Sequence, residues 1–363
     1  MLKRDLLYNR VSAKEEELMS QRIRIGLIGL NFGRHIVPAL TAGAGREYLD
    51  LVTVCDANRD RALAVAAASG RKPSFDMDEV LADPSIDAVG LFTGPVGRAS
   101  LIRKIIRSGK HVVTTKPFEI DPDAAEDVLN EARKLGKVVH MNSPAPVLPP
   151  DLRQVRDWQN QFDLGRPIAC RRDVWASYRE QPDGSWQDDP KQCPVAPIFR
   201  LGIYLINDMV RLLGDVEAVQ VTQSRLFTGR PTADNAQLTL QFKSGAIGSI
   251  FASFCVGDGQ PYRNSMVLNF ARGTIYQNTC PGGGERGSQT AAMSLVTSGG
   301  ENGPTVYKAS PSAVSGGYQW DAFYRAVRGE ALPDEVTVAQ IVSGLQVIRA
   351  MNRASETGTL TRV

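Results

Sequence analysis

Residues 23–30 form a β-branched run that breaks into Gly29-Leu30-Asn31-Phe32-Gly33, and a helical stretch follows through His35 to Leu40. A strand that turns through glycines directly into a helix aims main-chain N–H groups at whatever lies at the helix start, with no side chain in the way. A dinucleotide pyrophosphate needs that arrangement. The next β-branched run, residues 51–56, ends in Asp56, whose carboxylate suits the hydroxyls of an adenosine ribose. Gly29, Asn31, Phe32, Gly33 and Asp56 are therefore the candidate cofactor contacts, with Thr93 at the end of a third run, residues 86–93. Asn31 stands where a second glycine is usual, but asparagine tolerates left-handed backbone, so the turn survives. An acid at position 56 favours NAD, since it repels a 2′-phosphate; Arg59 and Arg61 leave NADP open.

The alternation continues. Residues 111–116 and 138–142 complete five predicted strands separated by helical stretches, which means parallel βαβ units. The helix after Asp121 is well punctuated: Asp121 caps it, Pro122 suits its first position and Gly136 stops it. The proline cluster Pro144, Pro146, Pro149 and Pro150 then breaks the pattern, which places a domain boundary near residue 142. Downstream, residues 167–178, 216–226, 237–254 (turn at Ser244-Gly245) and 265–277 (turn at Arg272-Gly273) alternate apolar and polar side chains, as an antiparallel sheet with one covered face does. Residues 281–317 read as a long Gly-rich loop, and helices over 318–329 and 336–357 close the chain. The expected division is an N-terminal extension over 1–20, a dinucleotide-binding domain over 21–142 and a second domain over 143–363, its last helix able to pack back on the first.

Length and composition agree with two folded domains. A chain of 363 residues exceeds what one core usually organises. A hydrophobic fraction of 42% against a net charge of +3 favours small metabolites over nucleic acid or membrane surfaces as ligands. No window approaches the ~18 consecutive apolar residues of a membrane span. The first twenty residues are too charged for a secretory signal, so a cytoplasmic home is expected. Cys55, Cys170, Cys193, Cys255 and Cys280 are scattered without a CxxC pair and only three histidines accompany them, which argues against structural zinc or a disulfide framework.

The order of these features resembles the Gfo/Idh/MocA oxidoreductases, the family of glucose-fructose oxidoreductase and inositol dehydrogenase. The similar stretches are Gly29 to Leu40 with Pro38, Val54-Cys55-Asp56, Asp83 to Val89, Ser108 to Val113, Lys116-Pro117, Phe323 to Gly329 and Ala354 to Gly358. The resemblance implies an α/β plus α+β chain: an N-terminal Rossmann domain with a parallel sheet, then a C-terminal domain with a large mixed, mostly antiparallel open sheet. It also implies hydride transfer between a nicotinamide and a secondary alcohol of a sugar, sugar derivative or cyclitol. Such a sheet exposes a large face unless it is paired, so a homodimer or homotetramer formed through it is expected. In such enzymes the lysine of a Glu-Lys-Pro motif lies beside the nicotinamide and the reacting hydroxyl, and Lys116 is the match.

Other family positions differ. Thr115 replaces the usual Glu, and Thr93-Gly94-Pro95-Val96-Gly97-Arg98 replaces Thr-Pro-Asn-x-x-His. Where members display Asp-x-Gly-x-His, this chain has Arg200-Leu201-Gly202-Ile203-Tyr204, with Asn207 beyond. Helical spacing puts Arg200, Tyr204, Asn207 and Arg211 on one side. Lys116 and Tyr204 are accordingly the candidate catalytic pair; Arg200, Asn207 and Trp175 are the candidate substrate contacts. Two other readings stand beside the dehydrogenase: an NAD-dependent glycosidase with transient redox, and a dinucleotide-binding regulator that has lost turnover along with the Asp/His pair.

Overall fold

The structure, a computed structural model, describes residues 22–260, 262–280, 290–299, 303–312 and 316–363; the expected N-terminal extension lies outside them. Packing divides the chain into two compact units. One holds the chain up to Thr93, Ile105–Val113 and Trp320–Glu330; the other holds Gly94–Lys104, Thr114–Gln319 and Ala331–Val363.

The first sheet has six strands: β1 (Ile23–Ile28), β2 (Leu49–Cys55), β3 (Lys72–Ser74), β4 (Ala88–Leu91), β5 (His111–Thr114) and β6 (Val139–Met141). Its order is β3-β2-β1-β4-β5-β6 and it is parallel, as the alternation predicts. Helices α1 (Leu30–Gly33), α2 (Val37–Thr41), α3 (Arg59–Ser69), α4 (Met77–Ala82), α5 (Arg98–Arg107) and α6 (Pro122–Lys134) fall between these strands. Strands β1 and β4 are buried throughout apart from Arg24, which is why their residues are almost all aliphatic or glycine. The chain steps outward from β1 through β2 to β3, then returns to the other side of β1 at β4. In an open parallel sheet, that reversal makes the crevice where ligands bind, at the strands' carboxyl ends. Gly29 stands at the end of β1 and Thr93 just beyond β4. Helix α6 starts as its sequence dictates, with the Asp121 carboxylate accepting the Asp123 N–H at 3.0 Å and Pro122 in the first position.

The second sheet belongs wholly to the second unit. It has nine strands: β7 (Pro167–Ala176), β8 (Val216–Ser224), β9 (Asn235–Phe242), β10 (Ile247–Ser253), β11 (Tyr262–Phe270), β12 (Gly273–Gln277), β13 (Met293–Thr297), β14 (Thr305–Ala309) and β15 (Thr361–Arg362). The order is β14-β13-β12-β11-β7-β10-β9-β8-β15, and among the described residues only β7 and β10 run parallel. Helices α7 (Pro150–Gln161), α8 (Ile203–Leu213) and α10 (Val338–Thr357) also lie in this unit; α9 (Trp320–Val327) belongs to the first, with Tyr324 5.7 Å from the Tyr48 ring. One face of the sheet carries the core, in which Val174, Leu238, Ile250 and Leu268 pack with Ile206, Met209 and Val347.

Two sequence expectations change. The proline cluster does not simply break the chain: Pro149 and Pro150 open α7, because proline's fixed φ and missing N–H suit a helix start. The stretch 281–317 is not one loop, since β13 and β14 pair within it; flanking glycines had masked two short β-branched segments. Among the described residues no helix is long and apolar enough to cross a membrane.

Gly29 is the backbone position on which the first turn depends. Its φ is 87°, and a Cβ there would stand 2.9 to 3.0 Å from the main chain of Phe92 and Thr93. Gly29→Ala should therefore cost at least ~1–2 kcal/mol from the left-handed backbone alone, read as a lower urea midpoint, with loss of dinucleotide binding.

Candidate active site

In the first unit, the turn and the acid are tied together. The Asp56 carboxylate accepts the Leu30 N–H and the Asn58 N–H, each at 2.8 Å, and Arg61 lies 3.3 Å away. Gly29 N–H donates to Cys55 and Gly33 N–H to Gly29, both at 3.0 Å. This leaves the amides of Asn31 and Phe32 as the first-turn donors that a pyrophosphate would take. Phe32 is 43% exposed and its ring lies 5.9 Å from Phe92, so it borders the turn without filling it. Glycine at position 33 keeps the turn close to the Phe92 ring, from which a Cβ would stand a tight 3.2 Å. A dinucleotide therefore fits these residues. Arg61 counters the charge of Asp56 and weakens its repulsion of a 2′-phosphate, so Asp56 alone does not select NAD over NADP.

In the second unit, Lys116 follows β5 and is partly exposed. Its Nζ donates to the main-chain carbonyl of Arg200 and lies 4.7 Å from the centre of the Tyr204 ring. Crowding by protein, then the Arg200 cation, pull its pKa down to about 7; Cys193 acts in the opposite sense and Arg98 adds to the lowering. An amine poised there can both take and return a proton near neutrality. The ring of Tyr204 is the nearest soft counter-charge for the ammonium.

Asn142 joins the parts. Its Oδ1 accepts the Lys116 N–H at 3.1 Å and faces the Thr115 hydroxyl at 3.4 Å; its Nδ2 donates to the Tyr204 hydroxyl at 3.0 Å and to Gly316 O at 3.1 Å. The phenol oxygen is thus an acceptor toward Asn142, and its own proton remains for another acceptor. Burial holds the Tyr204 pKa above the ordinary phenol value, so it stays protonated. Gly316 has φ of 72°, and any Cβ there would meet the Tyr204 ring at 3.0 to 3.1 Å.

The remaining candidates are distributed differently. Arg200 sits in a π-helical turn, Ile198–Gly202, that leads into α8. Its guanidinium is turned to Glu180 in a two-point pair at 2.6 and 2.8 Å, over the Phe254 ring, so it is the Arg200 carbonyl that reaches Lys116. Asn207 is 3% exposed and donates to the Ser143 hydroxyl at 2.9 Å, with Gly344 of α10 pressed against its carboxamide. Arg211 donates to the carbonyls of Ala145 and Asp334. Trp175 lies on the sheet face opposite its core neighbours Val174 and Ala176, and the Arg263 cation lies 5.6 Å from its ring. The structure brings together Lys116, Tyr204 and the main chain of Arg200, while the Asn207 side chain bonds to Ser143, next to Asn142, and Trp175 lies by Arg263.

Two participants escape the sequence reading. Asn142 was legible only as the last residue of a predicted strand, the position from which parallel sheets present ligands. Arg98 is 2% exposed and donates at 2.7 Å to both Thr115 O and Pro117 O. His140 is buried beside Tyr318, and burial lowers its pKa to about 3, so it stays neutral.

Comparison with known proteins follows the same outline. Residues 23–143 match the family described as "Oxidoreductase family, NAD-binding Rossmann fold", GFO_IDH_MocA, and residues 152–276 match the GFO/IDH/MocA C-terminal domain. The chain is 26% identical over 240 residues to 1,5-anhydro-D-fructose reductase of Ensifer adhaerens, covering 64% of this chain and 69% of that protein. It is 26% identical over 269 residues to scyllo-inositol 2-dehydrogenase (NAD(+)) of Bacillus subtilis (strain 168), covering 69% and 72%. Among solved structures, levoglucosan dehydrogenase in complex with NADH and L-sorbose has the same fold, with a TM-score of 0.72 at 16% identity over 94% of this chain and 99% of that one.

Removing the Asn142 carboxamide leaves the Lys116 N–H, the Tyr204 hydroxyl and Gly316 O without their shared partner. Asn142→Ala should therefore lower stability by about 1–3 kcal/mol in urea unfolding.

Proposed function

This chain belongs to the GFO/IDH/MocA oxidoreductase family, and we propose that it oxidises a secondary alcohol of a sugar, sugar derivative or cyclitol, or reduces the matching ketone, with Lys116 moving the proton. The observation that carries the proposal is the Lys116 amine, held by the Arg200 carbonyl against the Tyr204 ring with its pKa brought to about 7. Relatives named as an anhydrofructose reductase and an inositol dehydrogenase support the substrate class.

The residues to hold the dinucleotide are Gly29, Asn31, Phe32 and Gly33 at the pyrophosphate, Asp56 at the ribose, and Thr93 beside the turn. A bound nicotinamide supplies hydride acceptance and donation. In oxidation, the neutral Lys116 amine accepts the hydroxyl proton as the carbonyl forms; in reduction, the ammonium returns it. Tyr204, whose oxygen already accepts from Asn142, donates its hydroxyl proton as a hydrogen bond to the same substrate oxygen. Its raised pKa keeps that donor in place through the pH range in which the lysine titrates. The Arg200 carbonyl orients the ammonium between turnovers.

A second part of the proposal concerns assembly. The sheet face opposite the core carries Phe251, Trp175, Val267, Tyr276 and Val306, of which Val306 is 54% and Tyr276 is 38% exposed. A broad face of this kind is stabilised by pairing with a second copy. Light scattering should give at least twice the chain mass, and Tyr276→Glu with Val267→Glu should give the single-chain mass; a single-chain mass for the unaltered protein would reject the dimer.

The chemistry is tested with a panel of sugars and cyclitols, each offered with NAD+ and NADP+ and followed by nicotinamide absorbance. For the alcohol that turns over, kcat/KM of oxidation should rise with pH and level off above about 7, because the reaction needs the neutral amine. Reduction should fall over the same range, because it needs the ammonium. Lys116→Met should lose about 10²–10⁴-fold in kcat while dinucleotide affinity changes little; full turnover in that variant would remove the lysine from the mechanism.

A further inference from the structure

The main chain on either side of Lys116 is gripped from one side by a single buried cation. Arg98 opens α5, and its Nη1 donates to Thr115 O and Pro117 O, the carbonyls of the residues immediately before and after the lysine, each at 2.7 Å. A guanidinium has five N–H donors in a rigid plane, so one side chain can hold two carbonyls and define the path of the residue between them. The origin of that side chain is itself fixed. Glu119, 2% exposed, accepts the Ala99 N–H at 2.8 Å through one oxygen and the Ile120 N–H at 2.7 Å through the other. The carboxylate therefore ties the first turn of α5 to the segment just beyond Pro117.

Burying a guanidinium almost completely is expensive unless its bonds are good. Burial brings even this arginine's pKa down to about 10. The cost falls at one place, the two carbonyls that bracket Lys116. Asn142 holds the Lys116 N–H at 3.1 Å, so all the polar main-chain groups from Thr115 O to Pro117 O that bear on the lysine's direction, apart from its own carbonyl, are assigned a side-chain partner.

We propose that Arg98 is the positioning residue of Lys116: by bonding the carbonyls of Thr115 and Pro117 together, it fixes where the lysine side chain leaves the main chain and hence where its amine points. This rests on the reading of Lys116 as the proton-moving group. The amine bonds to the Arg200 carbonyl and lies against the Tyr204 ring, while the Arg200 guanidinium, the Cys193 thiol and Arg98 act on it through their charges. Two of these four charged or titratable neighbours are cations, and Arg98 supplies one of them as well as the grip.

The test does not need the substrate. The purified full chain is labelled with trace acetic anhydride across a pH series, and the rates at Lys116 and Lys110 are read by peptide mass spectrometry. Lys110 is a buried lysine bonded to Asp83 O and Ile86 O at 2.7 and 2.8 Å, and it reports general loosening. In Arg98→Gln the Lys116 midpoint should rise, since a neighbouring cation that favours the neutral amine is lost. In Arg98→Lys, which keeps the charge but whose nitrogen ends one bond short of the position that Nη1 holds between the two carbonyls, the plateau labelling rate at Lys116 should rise several-fold as the amine is released. Lys110 should label as in the unaltered protein in both variants. Should Arg98→Gln fail to fold, Arg98→Lys alone decides by its plateau rate. Midpoint and plateau rate unchanged, or Lys116 and Lys110 moving together, would overturn the inference. Full turnover in Lys116→Met would sink the preceding reading of the lysine and leave the labelling result to judge Arg98 by itself.

Discussion

One carboxamide holds the second unit's candidate site in register. Asn142 has two donors and one oxygen acceptor, and the structure uses both ends: the oxygen toward Thr115 and Lys116, the nitrogen toward Tyr204 and Gly316. Its partners lie as far as 174 residues away in sequence, so one buried side chain fixes three separate segments. A buried amide of this kind is stable only when it is fully bonded, and the same condition makes it selective: a shift of any one segment leaves a polar group without its partner. Asparagine also carries no charge. It orients the lysine main chain without placing a charge beside the amine, and its hydrogen bond to the phenol oxygen lowers the Tyr204 pKa by less than burial raises it.

Much of the fold was legible because it rests on local rules. Five of the six strands of the parallel sheet and the punctuation of α6 by Asp121, Pro122 and Gly136 follow from periodicity and capping, which act within a few residues. The hairpin between β9 and β10 is equally local, with Gly245 at φ of 85° where its turn requires it. The parallel pairing of β7 with β10 was not readable from the alternation of side chains, which is the same for parallel and antiparallel neighbours; only the family resemblance implied a mixed sheet. Strand β3, three residues containing Pro73, is too short to carry a period.

The site was half legible for a related reason. The sequence can place a lysine at the end of a strand and a tyrosine at a helical spacing from an arginine, but it cannot say which end of Arg200 meets Lys116. Glu180 decides that, twenty residues upstream, by drawing the guanidinium away with two short bonds and leaving the carbonyl for the amine. Asn207 and Arg211 were grouped with Tyr204 by the same helical arithmetic. They are consumed by Ser143, Ala145 and Asp334, partners that no spacing rule could supply. Trp175 fails to join the lysine because a strand alternates faces with a period of two, and its neighbours Val174 and Ala176 take the core side.

The electrostatics of Lys116 bring these separate choices together. Two guanidinium groups stand near one amine, a crowding of cations that would expel the lysine unless each arginine were answered elsewhere. Arg200 is answered by Glu180. Arg98 is answered by the Thr115 and Pro117 carbonyls and, at longer range, by the Glu119 carboxylate. What remains acting on the amine is a modest positive field in a poorly hydrated recess, together with one carbonyl and the face of one aromatic ring as the favourable partners of its charged form. Those opposing influences balance near neutrality. A Glu at position 115, in the place held by Thr115, would add a negative charge beside the amine and stabilise the ammonium. A neutral threonine there and two compensated arginines nearby form one consistent solution, in which the lysine gives up its proton readily without any imidazole to assist it.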